Sequence, residues 1–128
     1  MTTIRSVLLV VEDEPDFRKL IRLSLEDDPR IQSSGEATTA RAAIEVARKS
    51  HPDLVILDNY LEGDLNGLEA APLLKAAAPE SKILLFTAYD LSAQARREPA
   101  IDAFLRKDDI KKLLPVAQRL LGLDPQEA

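Results

Sequence analysis

Five side chains that could do chemistry stand just after apolar runs of the sequence. Glu12 and Asp13 follow "VLLVV", and Asp58 follows "LVIL". Thr87 comes directly after "KILLF", and Lys107 comes shortly after "AFL". Carboxylates are ligands that Mg²⁺ prefers, and an aspartate can also accept a phosphoryl group. Because a hydroxyl and an ammonium could bind phosphate oxygens, these residue types together indicate phosphoryl transfer to an aspartate.

The apolar runs alternate with helical patterns, which predicts five strands that are each followed by a helix. Strands are predicted at 7–11, 30–34, 54–57, 82–86 and 103–105. The run at 30–34 is polar and therefore indicates an edge strand. Five strands with intervening helices make a doubly wound α/β domain with a parallel sheet. Ligands of such folds bind at the carboxyl ends of the strands, where the five side chains are expected to meet.

Apolar residues three and four apart predict which face each helix buries. The first helix is expected to place four side chains inward: Phe17, Leu20, Ile21 and Leu25. The second is expected to begin at a cap on Thr38 or Thr39 and to end at His51-Pro52, and the last to begin at a cap on Asp108 or Asp109 and to end at Gly122. The second helix is expected to place four side chains inward: Ala40, Ala43, Ile44 and Ala47. Pro72 predicts a kink or a delayed start in the third helix, at about 67–78. A short fourth helix is predicted at 91–98.

Three carboxylates at one edge of a sheet repel one another, and their pKa values rise without compensation. A divalent cation and Lys107 would supply that compensation. Mg²⁺ suits an open, oxygen-rich site because it keeps water ligands while binding phosphate oxygens, and Mn²⁺ is a possible substitute. The absence of cysteine excludes thiolate zinc sites, disulfides and thiol catalysis. His51 has no ligand partner at metal spacing and is interpreted as structural or exposed.

The composition is that of one globular domain. The chain has 128 residues, of which 45% are hydrophobic and 30% charged, enough for a single core. The formal net charge of -5 argues against nucleic acid or an anionic membrane as a direct partner. The first apolar run, 7–11, is too short for a secretory or membrane-spanning segment, so a cytoplasmic protein is expected.

Each candidate residue also has an ordinary structural interpretation. Asp58 could close an Asx turn, and Thr87 could bond to backbone at a strand end. Lys107 could be a solvated surface lysine. Glu12 and Asp13 also suit the positive end of the helix that follows them. The functional interpretation therefore depends on the agreement among all the strand ends.

Five motifs together resemble the receiver domain of two-component response regulators, of the chemotaxis-regulator type. They are "VLLVVEDEP", "LVILDNYL", "NGLE", "LLFTA" and "FLRK", and the resemblance covers about residues 5–121. It implies a flavodoxin-like fold with strand order 2-1-3-4-5 and helices on both faces of the sheet. The receiver domain is expected to span 1–122, followed by a short C-terminal tail at 123–128.

The resemblance implies a role for each residue of the acceptor site. Asp58 resembles the phosphorylated aspartate. Glu12 and Asp13 resemble the acidic pair that holds Mg²⁺, with Asp13 favoured as the direct ligand. The backbone carbonyl of Tyr60 resembles a further protein ligand of the metal.

Further roles concern the phosphoryl group and the response to it. Thr87 and Lys107 resemble the hydroxyl and lysine that engage the phosphoryl group, and Phe104 resembles the aromatic residue that turns inward with Thr87. Four residues are expected to flank the phosphoryl group: Asn59, Tyr60, Ala88 and Tyr89. The rings of Tyr60 and Tyr89 could obstruct an attacking water, which predicts slow loss of phosphate.

The implied function is a signalling switch and not an enzyme in its own right. A sensor histidine kinase or a histidine phosphotransfer protein would phosphorylate Asp58, and the domain would then change the face that binds an unknown downstream protein. No direct binding of nucleic acid or membrane by this domain is expected. The chain is either a stand-alone receiver or a fragment of a larger regulator.

The sequence departs from the family pattern in the loops. Leu61 and Glu62 stand where the family often has an apolar residue followed by proline, and Gly67 comes one residue later than usual. A longer, remodelled loop after Asp58 is therefore expected. Asp108 follows Lys107 where proline is common, so a cis bond at that position would be costly.

Three other functions remain open at this point. A phosphatase of the haloacid dehalogenase type also uses an aspartate nucleophile, but it normally needs a second acid at the position of Tyr60. A flavodoxin-like cofactor carrier would need a phosphate-binding loop where this chain has the anionic "EDEPD". A degenerate receiver that serves only as an interaction module would not need the intact set of acids, hydroxyl and lysine.

Overall fold

The computed structural model describes residues 6–125. The segment before Ser6 and the last three residues of the expected tail lie outside the described residues. Within the described residues, five strands alternate with five α-helices: Ser6–Val11 (β1), Pro15–Glu26 (α1), Ile31–Ala37 (β2), Ala40–Ser50 (α2), Leu54–Leu57 (β3), Gly67–Ala77 (α3), Lys82–Thr87 (β4), Ser92–Arg97 (α4), Ala103–Arg106 (β5) and Leu113–Leu121 (α5). A 3₁₀ segment, Lys107–Lys112, lies between β5 and α5.

The strands form one parallel sheet in the order β2-β1-β3-β4-β5. This confirms the predicted flavodoxin-like, doubly wound α/β fold. The register aligns Val11 with Leu57 and Leu57 with Leu85, so β1 and β3 end at the same level and β4 continues two residues further, to Thr87. The residues that follow these strands are therefore brought to one edge of the sheet.

The sheet is buried on both faces, which explains why its central strands are continuous aliphatic runs. All four residues of β3 are at most 1% exposed. On one face Leu9, Val55 and Leu85 pack in the cluster that contains α2 and α3 residues. On the other face the cluster contains residues of α1 and α5. Within residues 6–125, none of the helices has both the length and the apolar character needed to cross a membrane.

The second helix begins and ends as predicted. The Thr39 hydroxyl accepts a hydrogen bond from the Ala42 amide at 3.1 Å, which selects Thr39 over Thr38 as the cap. The helix ends at His51, which adopts a left-handed conformation before Pro52. All four side chains predicted to face inward are buried: Ala40, Ala43, Ile44 and Ala47.

The first helix buries a narrower face than predicted. Ile21 and Leu25 are buried and Phe17 is half-buried, but Leu20 is 44% exposed. Phe17, Ile21 and Leu25 are spaced by four residues and form one line along the helix. Leu20 is rotated by about 100° from Ile21 and projects away from the sheet. The prediction that Leu20 faces the core is therefore wrong.

The third helix starts earlier than Pro72 would suggest. It begins at Gly67 behind a capping box in which Asn66 accepts from the Glu69 amide and Glu69 accepts from the Asn66 amide. It then continues through Pro72 to Ala77. The observed start agrees with the predicted bounds of about 67–78. Of the two effects predicted for Pro72, the delayed start does not occur, because the capping box and not the proline determines where the helix begins.

The start of the last helix also differs from the prediction. Asp108 and Asp109 lie within the 3₁₀ segment, and neither side chain caps α5. The α-helix begins at Leu113, which places Pro115 in its first turn, where a missing N–H costs no hydrogen bond. The peptide bond between Lys107 and Asp108 is trans, as are all others in the described part of the chain. Gly122 ends the helix with a φ of 69°, as predicted.

Candidate functional site

The carboxylate of Asp58 lies where β3 ends, and the fold holds it by both oxygens. Its amide donates to the Val11 carbonyl at 3.1 Å, which fixes the residue against the end of β1. Oδ1 accepts a hydrogen bond from the Asn59 amide at 2.7 Å, and Oδ2 accepts one from Lys107 Nζ at 3.0 Å. Asp58 is only 5% exposed, so its opening to solvent is restricted to the edge of the sheet.

Three acids meet at this edge. Glu12, Asp13 and Asp58 each offer a carboxylate oxygen within 4.8 Å of the others. Burial raises the pKa of Glu12, with repulsion from Asp58 as a lesser cause in the same direction, and the contacts of Glu12 with Lys107 and the Glu14 amide offset the rise only in part. Three carboxylate oxygens this close together, one of them from the half-buried Asp13, fit a hard divalent cation such as Mg²⁺.

The ammonium of Lys107 lies between two of these acids. Nζ is 2.6 Å from Glu12 Oε1 and 3.0 Å from Asp58 Oδ2. Burial by itself would lower the pKa of Lys107, but the contacts with Glu12 and Asp58 outweigh it, and the net shift is upward. The lysine is therefore a fixed positive charge beside the Asp58 carboxylate.

The hydroxyl of Thr87 is the remaining polar group at this edge. Thr87 is the last residue of β4 and is fully buried. Its Oγ1 has no hydrogen-bond partner among the described residues. A buried hydroxyl without a partner is energetically unfavourable, so it is ready to bind a polar group that enters the site.

The residues predicted to flank the phosphoryl group take different positions. Asn59 is buried, and its side-chain oxygen accepts a hydrogen bond from the Leu68 amide at 3.0 Å, so it anchors the start of α3. Tyr60, Ala88 and Tyr89 are exposed. The two tyrosine rings contact each other edge to face, with their centroids 5.2 Å apart.

The predicted switch residue Phe104 lies at the margin of the core. It is half-buried on β5 and packs against the cluster that contains α2 and α3 residues. Ala95, Ile101 and Phe104 are among the residues that line a small cavity beside it. Space is therefore available next to its ring.

The loop between β3 and α3 is attached to the second helix. Glu62 forms an isolated bridge with Thr39, and Arg41 forms an ion pair with Asp64 at 3.0 Å. Gly63 between them has a φ of 103°, which favours glycine. A remodelled loop was expected here, but no local sequence pattern indicates which groups hold it.

One neighbour of the site was not identified from the sequence as functional. The Phe17 ring lies beneath the Lys107 ammonium, with Nζ 4.6 Å from the ring centroid. The helical spacing of Phe17 indicated a core residue, and no local pattern pairs it with a lysine 90 residues further along the chain.

The chain belongs to the response regulator receiver domain family, whose sequence pattern it matches over residues 8–117. It is similar to the sensory transduction protein LytT of Bacillus cereus, with 34% identity over 113 residues, which are 88% of this chain and 46% of that protein. It is also similar to the transcriptional regulatory protein BtsR of Salmonella typhi, with 34% identity over 116 residues, 88% of this chain and 47% of that protein. The chain thus spans about half the length of these relatives.

Solved structures agree in fold. The response regulator domain of Thermotoga maritima CheB superimposes with a TM-score of 0.81 at 20% identity, covering 94% of this chain and 99% of that one. A DNA-binding response regulator of the LuxR family from Staphylococcus aureus gives a TM-score of 0.81 at 18% identity, covering 91% and 98%. At these identities the comparison shows the receiver fold, in agreement with the sheet order.

Proposed function

We propose that this domain is a phosphorylation-dependent switch in which Asp58 accepts a phosphoryl group from a histidine kinase or a histidine phosphotransfer protein. The proposal rests on the groups that surround Asp58. Its carboxylate contacts Lys107 and lies within 4.8 Å of oxygens of Glu12 and Asp13. Membership of the receiver family supports this proposal over a phosphatase or a cofactor carrier.

In the transfer step, a carboxylate oxygen of Asp58 bonds to phosphorus while the bond between phosphorus and the donor imidazole nitrogen breaks. The electron pair of that bond stays on the imidazole nitrogen. The imidazole leaves as a neutral ring, and it takes a proton from water where its other nitrogen carries none. Lys107 is already 3.0 Å from one oxygen of the acceptor and can stabilise negative charge on the phosphoryl oxygens. Thr87 offers a buried hydroxyl to the same group.

The metal would be held by the oxygens of Glu12, Asp13 and Asp58, together with the backbone carbonyl of Tyr60. When bound, Mg²⁺ would neutralise charge on the phosphoryl oxygens and offset the repulsion among the acids. Mn²⁺ has similar ligand preferences and could substitute.

The phosphorylated state is proposed to change one face of the domain. Bonding of the Thr87 hydroxyl to the phosphoryl group would vacate space near β5, and the half-buried ring of Phe104 could then turn inward. This shifts the population of two conformations and does not drive new chemistry. The domain therefore acts through a downstream protein that distinguishes the two states, and any further activity would belong to other parts of a longer regulator.

The central experiment measures covalent phosphorylation. The protein is incubated with Mg²⁺ and acetyl phosphate, and its intact mass is measured. One phosphoryl group is expected on the wild type and on Asp64→Ala, which alters an exposed carboxylate of the nearby loop. None is expected on Asp58→Ala. An unlabelled wild type, or an equally labelled Asp58→Ala variant, would overturn the proposal.

A second experiment tests the metal site. Mg²⁺ should raise the melting temperature of the wild type, because a ligand that binds only the folded state stabilises it. Asp13→Asn should lose most of this increase. Asp16→Asn, which changes an exposed acid three residues away on α1, should retain it. Equal increases in melting temperature in both variants would show that Asp13 is not a ligand of the metal.

A further inference from the structure

The Lys107 ammonium has three partners, and they differ in kind. Two are carboxylates, Glu12 at 2.6 Å and Asp58 at 3.0 Å. The third is the face of the Phe17 ring, whose centroid is 4.6 Å from Nζ. A cation over an aromatic face is attracted by the negative electrostatic potential of the ring's quadrupole, and more strongly when water is excluded. The Lys107 side chain is 21% exposed, so this contact is largely shielded.

The Phe17 ring is held in place by its own contacts with the sheet and with the start of α1. It stacks on Phe86 with centroids 5.7 Å apart and an interplanar angle of 29°. Phe86 belongs to β4 and is 1% exposed. The Phe17 amide is also bonded to the Glu14 side chain at 2.6 Å, at the start of α1. The ring therefore forms a rigid link between the buried sheet and the ammonium.

The two carboxylate partners cannot hold the lysine unchanged through the reaction. One oxygen of Asp58 becomes part of an acyl phosphate when it bonds to phosphorus, and the residue loses its carboxylate charge. Glu12 belongs to the acidic set that would face the metal. The phenyl ring takes no part in either change, so its attraction for the ammonium persists before and after transfer.

We propose that Phe17 is a positioning residue for phosphoryl transfer, whose ring holds the Lys107 ammonium beside Asp58 while the carboxylates around it change partners. This inference rests on the proposed function, since it needs Asp58 to be the acceptor. The alternative is that Phe17 only fills space between α1 and the sheet. The two interpretations of Phe17 make different predictions for a ring of the same shape but lower electron density. Only the positioning role predicts that such a ring slows phosphoryl transfer.

The test therefore lowers the electron density of the ring face and leaves the shape of the ring nearly unchanged. Trifluorophenylalanine is placed at position 17, and the rate of labelling by acetyl phosphate with Mg²⁺ is compared with that of the wild type. The rate should fall about three- to tenfold, the range that a shielded contact of this kind supports. Phe17→Tyr, which keeps an electron-rich ring, should remain close to the wild type. The matched control is trifluorophenylalanine at Phe86, in the same stack but away from Lys107, and its rate should be unchanged.

A second measurement needs no metal and no phosphoryl donor. In the metal-free wild type, the ring should shift the proton resonances of the Lys107 ε-methylene upfield, and the signal is assigned by its loss in Lys107→Arg. Phe17→Leu should return these resonances to the range of the other lysines. An unshifted methylene in the wild type, an unchanged rate with the fluorinated ring at 17, or equal slowing at 17 and 86 would each overturn the role of Phe17. A wild type that takes no label overturns the proposed function instead.

Discussion

A Cβ atom on Gly67 would lie 2.3 Å from the backbone carbonyl oxygen of Asp58. It would also lie 2.9 Å from the Cα of Asn59. The Gly67 amide donates to the Asn59 carbonyl at 2.9 Å. The start of α3 thus rests directly on the backbone of Asp58 and Asn59, and only a hydrogen atom fits between them.

Gly67→Ala should therefore displace Asp58 as well as destabilise the domain. Because the colliding atoms are backbone, they cannot rotate away, and we expect the free energy of unfolding in urea to fall by about 1–3 kcal/mol. Labelling of Asp58 should slow in the fraction that remains folded. Gly35→Ala is the control, since its Cβ would meet only side-chain methyls, that of Val46 at 3.3 Å and that of Leu9 at 3.9 Å. A smaller loss at Gly67 than at Gly35 would contradict this account.

Thr87→Val should raise stability, which is the reverse of what most changes at buried sites do. The Thr87 hydroxyl is buried without a partner among the described residues, and valine has the same shape without the polar group. We expect the free energy of unfolding to rise by up to about 1–2 kcal/mol. Thr39→Val is the matched control, because that hydroxyl caps α2, and its loss should cost about 1 kcal/mol. If Thr87→Val is as destabilising as Thr39→Val, the Thr87 hydroxyl has a partner in solution.

The tyrosine pair should prolong the phosphorylated state. The Tyr60 and Tyr89 rings contact each other edge to face, and the two residues come two positions after Asp58 and Thr87, so the rings could obstruct a water that attacks the phosphoryl group. In Tyr60→Asn with Tyr89→Glu, we expect the phosphoryl group to be lost about tenfold faster, which is about 1.4 kcal/mol in activation free energy. Decay is followed by intact mass after acetyl phosphate is removed. Each single variant serves as a control, and an unchanged decay rate in the double variant would show that the rings do not shield the site.

Four of the five strands in the described residues were predictable because each is an apolar run in its own right. The polar second strand, predicted at 30–34, runs from Ile31 to Ala37, three residues further than its pattern indicated. Leu54 to Leu57 is a continuous aliphatic run, and a strand buried on both faces needs one. Asp58, Thr87 and Lys107 come at strand ends, and parallel topology by itself brings such residues to one edge. The family resemblance then supplied the strand order, which the sheet confirms. The assigned roles of these residues remain predictions.

What the sequence did not reveal depends on contacts between distant residues. Leu20 has the spacing of a core residue, but its burial depends on how much of α1 the sheet covers. The 3₁₀ segment at Lys107–Lys112 replaces the cap expected from Asp108 or Asp109, and no local signal distinguishes the two. The contact of Phe17 with Lys107 requires both ends of the chain to be placed first.

A further contact between residues that are distant in sequence joins the loop after α1 to the last helix. Asp28 is 0% exposed, and its carboxylate accepts hydrogen bonds from the Arg30 side chain at 2.8–3.2 Å and from Gln118 Nε2 at 3.0 Å. The hydrogen bonds from Arg30 are the main cause that holds the pKa of Asp28 well below its usual range, although burial opposes them. Gln118 is itself buried, so this group ties α5 to the rest of the domain.

Asp28→Asn should destabilise the domain in a pH-dependent way. The asparagine leaves the Arg30 guanidinium without its ion pair, and we expect a loss of about 1.5–3 kcal/mol near pH 7. Because the pKa of Asp28 is lowered by folding, its contribution is fully present above the unfolded value of about 4 and is lost as the pH falls below it. The difference in unfolding free energy between wild type and variant should therefore shrink between about pH 5 and pH 2, measured by urea denaturation. Asp108→Asn, at an exposed ion pair, should cost little throughout. A difference for Asp28→Asn that stays constant down to low pH would mean that the charge of Asp28 is not what stabilises this contact.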